Sequence, residues 1–247
     1  MKNNMIEITV HDGPARMGKY KELKTPNILR ADPSLPFIED EPMPYDVPKT
    51  LAEYSVNKTI QKAQESNKTG ITVIHGSKYS DLRVQCALQL EKLGNNILMI
   101  ANSEELLKRP KDLINITVNI RENINPNNAL YFPFVKTSFI PLLTYLGIDF
   151  FGDFSCNYYA QLGLIMTTDN IYELENYQIY NFTLEELKEY NRKTMDFVLR
   201  EVRENIKNGT LRNLVEQRCC SSPEAMSALR IADRDYTEYL DKYTSLY

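Results

Sequence analysis

The sequence predicts an α/β protein with a mostly parallel sheet or barrel, followed by a C-terminal third that is helical. Between residues 71 and 154, short apolar runs of strand length alternate with longer amphipathic segments. Such alternation is typical of parallel strands joined by right-handed helical crossovers. From Thr183 onward, apolar residues recur only at helical spacing. With 247 residues, the chain is long enough to bury one large core.

The first part of the chain contains a connection and then a helix. Residues 31–48 are rich in proline and in acidic side chains, a composition that indicates an irregular connection between elements. The sequence TLAE, which begins at Thr50, has the capping-box pattern, in which a Thr or Ser at the helix start is followed three residues later by Glu or Gln. It predicts a helix from Thr50 to about residue 65.

The central region follows a strand and helix pattern. Apolar runs predict strands at Ile71–Ile74 and Ile97–Ile100. Between them, Ser80 can cap a helix that continues to about residue 93 and stops at Gly94. A short helix is expected to begin at Ser103.

Further apolar runs at residues 115–118 and Ala129–Phe132 predict two more short strands. The apolar window at residues 131–154, YFPFVKTSFIPLLTYLGIDFFGDF, is long enough to suggest a membrane span. Its prolines, Lys136 and Asp149 instead favour a buried unit of strand, short helix and strand.

The C-terminal third has its own helix signals. The sequence TLEE at Thr183 is another capping box, and an apolar stripe follows it as far as Gly209. The last helix is expected to begin at Ser222, with Pro223 at its first position.

Composition narrows the classes of function. The formal net charge of −4 gives no global argument for nucleic-acid binding, so any RNA contact needs a local basic face. The N-terminus lacks a signal-peptide pattern, and we expect a cytoplasmic protein without membrane contact. The four cysteines and two histidines fit no zinc or haem spacing, so we expect reduced thiols, no metal and no cofactor.

Four segments carry a recognisable pattern in chain order: HDGPARMGKYKELKTPNIL from His11, ITVIHGSKYSDLRVQCALQLEKLG from Ile71, LLTYLGIDFFGD from Leu142, and the segment from Leu211 to Thr244. Together they resemble the tRNA-guanine transglycosylase family, and most closely its archaeosine synthase branch. The first resembles the family's opening hairpin and Thr-Pro strand, and the second its Gln-Gly-x-x-Tyr-x-Asp-Leu-Arg strand and helix. The third resembles its Gly-Val-Asp-x-Phe-Asp segment, and the fourth is similar to the helices that follow the barrel in archaeosine synthase.

The resemblance implies a (β/α) barrel that handles a deazaguanine base in tRNA, with an Asp as covalent nucleophile. The family's nucleophile position is Gly152 in this chain. Asp153 follows one residue later, and a shift of one residue in a strand points a side chain to the opposite face unless a bulge intervenes. Asp153 is therefore only a weak catalytic candidate, and its alternative is a solvated loop carboxylate.

Three further residues are candidates for substrate binding. His75 follows a buried strand, where α/β enzymes meet their substrates, and it occupies the position of the family's base-reading Gln. Imidazole cannot present the paired amide that Gln offers to a purine. Gly76 is kept, and Asp46 in PMPYDVPKT occupies the position of a family Asp that hydrogen-bonds the base, although it also suits an ordinary turn.

Other parts of the family pattern are missing. Only sixteen residues separate Leu29 from Asp46, without the Asp-Ser-Gly motif and the two strands of the family. MIANS replaces the glycines that hold the base, and the zinc cysteines and histidine are absent, with Tyr190 at the histidine position. We therefore expect an incomplete TIM-like barrel of about six strands in residues 1–182 and a helical subdomain in residues 183–247.

These departures favour a non-catalytic or split subunit of archaeosine biosynthesis that docks tRNA, a catalytic protein subunit or both. A residual enzyme, with His75, Asp46 and Asp153 around an altered pocket, is the alternative, and a structural homodimer is a third. Among the basic residues of the helical region, Arg200, Arg203 and Lys207 are weak candidates for RNA contact. Nearly as many acids accompany them, so a salt-bridged surface is the competing interpretation.

Overall fold

The structure is a computed structural model that describes residues 5–66, 68–177 and 181–242. Its strands are β1 (Glu7–Asp12), β2 (Ala15–Tyr20), β3 (Leu23–Thr25), β4 (Asn27–Ile28), β5 (Ile71–Ile74), β6 (Ile97–Ile100), β7 (Ala129–Phe132), β8 (Phe150–Phe151), β9 (Leu164–Met166) and β10 (Ile171–Glu173). Its helices are α1 (Lys49–Ser66), α2 (Ser80–Lys92), α3 (Ser103–Leu107), α4 (Pro110–Asn123), α5 (Ile140–Tyr145), α6 (Phe154–Gln161), α7 (Leu174–Tyr177), α8 (Leu184–Asn208), α9 (Leu211–Cys219), α10 (Pro223–Asp235) and α11 (Thr237–Leu240), with a 3₁₀ turn at Thr137–Phe139.

A parallel sheet with the order β4-β8-β7-β6-β5 forms the centre of the fold. The strands predicted at β5, β6 and β7 are confirmed residue for residue. The window at residues 131–154 forms strand, 3₁₀ turn, helix and strand, as predicted. Burial on both faces explains why these strands are continuous apolar runs without alternation.

The described residues give the parallel sheet five strands, where the sequence suggested about six. β4 and β5 lie at its two edges. The expected irregular connection at residues 31–48 is observed, and at Phe37 it forms one parallel bridge with Ile71 of β5. Ile71 donates its N–H to the Pro36 carbonyl at 2.9 Å, so this connection covers the β5 edge with only a short length of backbone.

The two faces of the sheet pack into different clusters. On the inner face Ile71, Ile97, Tyr131 and Phe150 pack with residues of the N-terminal strands, including Tyr20, whose ring meets Phe150 edge-on at 5.7 Å. On the outer face the alternate residues of the same strands pack under the helices. The antiparallel sheet β1-β2-β3 therefore supplies side chains that cover the inner face.

The prediction of a strand at residues 115–118 is wrong, because these residues lie within α4. Pro110 occupies the first turn of that helix, and Asp112 adds a favourable negative charge there. The helix packs against both α2 and α10, so apolar residues lie on much of its circumference. A short apolar run cannot distinguish a helix buried in this way from a strand.

The two predicted capping boxes have different outcomes. At Thr183 the box is confirmed: the Thr183 hydroxyl accepts from the Glu186 N–H at 3.4 Å, and Glu186 accepts from the Thr183 N–H at 2.8 Å. α8 then ends at Asn208, and Gly209 follows it in the left-handed conformation. The helix assigned to Thr50 instead begins at Lys49, so Thr50 lies inside its first turn.

A buried ion pair fixes the N-terminal strands to the central sheet. Arg16 of β2 donates Nε and Nη2 hydrogen bonds to the two carboxylate oxygens of Asp149, both at 2.6 Å. Asp149 is fully buried and also accepts the Leu130 N–H at 2.8 Å. Arg121 lies 3.8 Å from the same carboxylate. Since the buried charge is paired and hydrogen-bonded, this network defines how the hairpin meets the sheet.

The C-terminal helices pack on the rest of the fold. α8 contacts β1, β2, α5 and α6, and α9 contacts α5. The helix predicted at Ser222 is confirmed with Pro223 at its first position, but the short helix α11 follows it, so it is not the last. No helix in the described residues has the length and apolar character needed to cross a membrane.

Candidate functional site at the carboxyl edge of the sheet

The carboxyl ends of the parallel strands form one edge, where His75 follows β5, Pro133 follows β7 and Gly152 follows β8. Side chains alternate between faces along a strand. His75 is four residues beyond Ile71, and Gly152 two beyond Phe150, so both belong to the inner face that also carries Tyr131. The structure therefore brings two of the positions selected from the sequence to one edge and one face.

His75 is held by a carboxylate from the irregular connection. Its Nε2 lies 2.7 Å from Oδ2 of Asp40, and its side chain is only 4% exposed. Nδ1 is buried and has no hydrogen-bond partner within the described part of the chain. If Nε2–H donates to Asp40, Nδ1 is left as an acceptor on a fixed ring.

Gly76 is required by the close approach of α2. Its φ of +141° lies in a region that side chains rarely adopt, and an added Cβ would lie 2.7 Å from the Arg83 backbone nitrogen. Arg83 is fully buried and donates to the Ser77 carbonyl at 2.7 Å, the Ala101 carbonyl at 3.0 Å and Asn102 Oδ1 at 3.1 Å. Burial lowers the pKa of Arg83 to about 10. Gly76 and Arg83 thus position the loops that follow β5 and β6.

Gly152 leaves no room for a nucleophile side chain. An ideal Cβ at this position would lie 2.3 Å from the Pro133 carbonyl oxygen and 2.8 Å from the Tyr131 hydroxyl oxygen. The Gly152 N–H donates to the Phe132 carbonyl at 3.1 Å, which holds the two strand ends together. A carboxylate at residue 152 would therefore require movement of the backbone.

Asp153 is engaged by arginines. Arg30 Nε donates to Asp153 Oδ2 at 2.9 Å, and Arg192 Nε lies 3.5 Å from the same oxygen. The Asp153 side chain is 16% exposed and precedes the first residue of α6. Burial, and to a lesser degree the charge of Asp153, raises the pKa of Tyr131. The carboxylate at residue 153 therefore accepts a hydrogen bond from one guanidinium group, that of Arg30, and lies within ion-pair distance of a second, that of Arg192.

Asp46 lies apart from this edge group. Its side chain is 68% exposed and pairs with Lys78 Nζ at 2.5 Å. The hydrogen bond from Lys78 lowers the pKa of Asp46. An exposed pair of this kind is typical of a turn at the surface.

The three basic residues of α8 differ in their surroundings. Arg200 and Lys207 are exposed, and Lys207 Nζ lies 3.9 Å from Glu204. Arg203 is half-buried and donates to the Pro26 carbonyl at 2.6 Å, so part of its role is to hold the helix to the strand below. Burial lowers the pKa of Arg203.

Within the described ranges, no three His, Cys, Asp or Glu side chains are placed to hold a metal ion. The cysteines are free thiols, and Cys86, Cys156 and Cys219 are buried. Burial raises the pKa of Cys86 to about 12. These thiols are therefore protonated at neutral pH.

Reasoning from the sequence missed Asp40, Arg30 and Arg83. Asp40 and Arg30 reach their partners across 35 and 123 residues of sequence, so no local pattern could pair them. Arg83 did carry a signal, since it lies on the same helical stripe as the buried Ala87 and Leu90. Arginine on an apolar stripe indicates a buried guanidinium that bonds to backbone carbonyls.

A sequence profile described as queuine tRNA-ribosyltransferase matches residues 1–189 of the chain. The chain belongs to this tRNA-guanine transglycosylase family. Archaeosine synthase from Methanocaldococcus jannaschii is 33% identical over 182 residues, which cover 73% of this chain and 30% of that protein. The tRNA-guanine(15) transglycosylases of Thermococcus kodakarensis and Pyrococcus furiosus are each 26% identical, over 82% and 83% of this chain respectively.

The chain corresponds to a part of these relatives. It spans 30% of the archaeosine synthase and 40% and 39% of the two transglycosylases. The resemblance to the archaeosine synthase branch is confirmed by the first of these similarities.

Proposed function

We propose that this chain is a non-catalytic or split subunit in the 7-deazaguanine (archaeosine) modification of tRNA, which docks tRNA, a catalytic protein partner or both. The single observation that carries the proposal is the closed position at Gly152, where the Pro133 carbonyl occupies the space of a nucleophile's Cβ. A covalent mechanism requires an activated nucleophile that can reach the sugar.

The contacts of Asp153 with Arg30 and Arg192 support the same conclusion. A carboxylate paired with two guanidinium groups is a poor nucleophile, because attack requires it to give up these contacts. Similarity to tRNA-modifying relatives over most of the chain supports a role in the same process.

In this proposal, residues 1–182 are an incomplete TIM-like barrel of about six strands, with the connection at residues 31–48 in the place of missing strands. Residues 183–247 form a helical subdomain. β4 lies at an edge of the parallel sheet and is only partly buried, and such an edge favours association with a partner, because uncovered strand edges tend to pair. The protein would act in the cytoplasm, where tRNA is modified.

The first test is base exchange. The purified chain is incubated with tRNA and labelled guanine, with the Thermococcus kodakarensis transglycosylase as positive control. We expect no incorporation by this chain. Incorporation that is lost in Asp153→Ala and kept in Asp46→Ala would overturn the proposal, because it would identify Asp153 as a working nucleophile.

The second test is docking. The chain is isolated from its native cell and examined for bound tRNA and for a protein that itself exchanges or modifies the base. We expect at least one of these to co-purify and to rebind the purified chain. A chain that binds neither at low salt would refute the docking role.

A residual enzyme with an altered base pocket is the second candidate, and His75 is the observation that favours it. Its ring is fixed by Asp40, and its buried Nδ1 lacks a partner among the described residues. A ligand that offers an N–H donor at this edge would satisfy it. Saturable binding of a deazaguanine base by the wild-type chain, lost in His75→Ala, would support this candidate.

A further inference from the structure

A groove of about 350 Å³ lies beside the carboxyl edge, and none of the candidate site residues described above lines it. Its walls combine aromatic and aliphatic side chains with a small number of charged and polar ones. Its lining includes Glu104, Lys108, Phe134, Lys136, Tyr158 and Tyr159. This size and this mixture are typical of a site for a small ligand.

The groove is formed by segments that follow three adjacent strands. Glu104 and Leu107 lie on α3 after β6, Phe134 follows β7, and Tyr158 lies on α6 after β8. β9 and β10 supply another part of its wall. In α/β proteins, ligands bind beyond the carboxyl ends of neighbouring parallel strands. The topology therefore places the groove where the fold class positions ligand sites.

Three aromatic rings form one wall. The Tyr158 ring centroid lies 5.6 Å from that of Phe134 and 5.4 Å from that of Tyr159, with interplanar angles of 71° and 67°. Such edge-to-face contacts fix the rings in place. Tyr158 is nevertheless 44% exposed. A ring that is both fixed and exposed can stack with a planar ligand at little cost in conformational entropy.

The charges of the groove favour an anionic ligand. Its lining contains two lysines, Lys108 and Lys136, against one glutamate, Glu104. Lys108 pairs with Glu104 at 2.9 Å, but both side chains are about half exposed, so the pair is weak and a phosphate can replace it. The pKa of Glu224 is lowered chiefly by its hydrogen bonds to its own backbone N–H and to Ser222. The positive charge of Lys136 contributes a smaller part of this lowering, so Lys136 also interacts with Glu224.

We propose that this groove binds one unpaired nucleotide of RNA, with the base stacked against Tyr158 and the phosphate near Lys136 and Lys108. The inference rests on the proposed function, in which the chain docks tRNA, and it identifies the part of the RNA that is held. The lysines favour a phosphate-bearing ligand over an apolar protein segment. Stacking on an aromatic ring is tolerant of base identity, so the site is weakly selective.

The test uses fluorescence anisotropy with a labelled single-stranded RNA of about ten nucleotides at low salt. Tyr158→Ala is expected to weaken binding by about tenfold or more, the effect of losing one stacked base. Tyr158→Phe keeps the ring and should bind as the wild type does. Tyr54→Ala, which removes a similarly exposed tyrosine from α1, is the matched control and should also bind normally.

A salt series tests the phosphate contact. Lys136→Ala is expected to reduce the slope of log affinity against log salt by about 0.7, the value for one phosphate contact on a single strand. The inference is overturned if the wild type does not bind the oligonucleotide, or if Tyr158→Ala binds like Tyr54→Ala. If tRNA binding persists in Tyr158→Ala at wild-type affinity, the docking role stands and this groove is not its site. If Tyr158→Ala no longer binds a protein partner but keeps its RNA affinity, the groove binds protein and the inference is wrong.

Discussion

Replacing Gly152 with aspartate is expected to destabilise the protein and not to restore a nucleophile. The new Cβ would lie 2.3 Å from the Pro133 carbonyl oxygen, and 2.8 Å from a side-chain atom of Phe154 and from the Tyr131 hydroxyl oxygen. The nearest atom belongs to the backbone, which is held in place because Gly152 N–H bonds the Phe132 carbonyl at 3.1 Å. Overpacking of this kind typically costs about 1–3 kcal/mol, and a clash with backbone places this variant at about 2–3 kcal/mol.

Urea unfolding followed by circular dichroism measures this cost. With a slope of about 2–3 kcal/mol per molar urea, the midpoint should fall by about 1 M. Gly152→Ala adds only the Cβ, so it isolates the steric part and should carry most of the loss. Wild-type midpoints for both variants would refute the steric argument. Base exchange gained by Gly152→Asp would refute the conclusion that the site is closed to a nucleophile.

Three further predictions concern the buried Arg16–Asp149 ion pair, the cysteine thiols and the exposed basic residues of α8. Asp149→Ala should lower the free energy of unfolding, measured by urea titration, by about 3–5 kcal/mol, because it leaves Arg16 buried without its carboxylate partner. An unchanged free energy of unfolding would contradict the conclusion that this ion pair holds the N-terminal strands to the sheet. At pH 8 a thiol reagent should modify only the exposed Cys220 in the folded protein. Cys86, Cys156 and Cys219 should react only after unfolding, since they are buried and burial raises the pKa of their thiols. Arg200→Glu with Lys207→Glu should weaken tRNA binding and flatten its salt dependence, and unchanged binding would mean that this face of α8 has no RNA role.

The strands β5, β6 and β7 and several helix ends were predictable because their causes are local. β5, β6 and β7 are continuous apolar runs of strand length between turn residues. The start of α8 follows from the side chains of Thr183 and Glu186, which satisfy backbone groups within one turn. α4 was mistaken for a strand in part because its burial depends on α2 and α10, which lie far from it in sequence.

The sequence by itself determined where the strands β5, β6 and β7 lie along the chain. It also determined that the C-terminal third is helical and that residue 152 carries no carboxylate. Only the tertiary structure decided what these features mean for the site. The Pro133 carbonyl closes the space at Gly152 because β7 and β8 pair in parallel, and Asp40 meets His75 because the connection at residues 31–48 passes beside β5. Contacts of this kind join residues far apart along the chain, and they exist only after the sheet has formed and its strand ends have been brought to one edge.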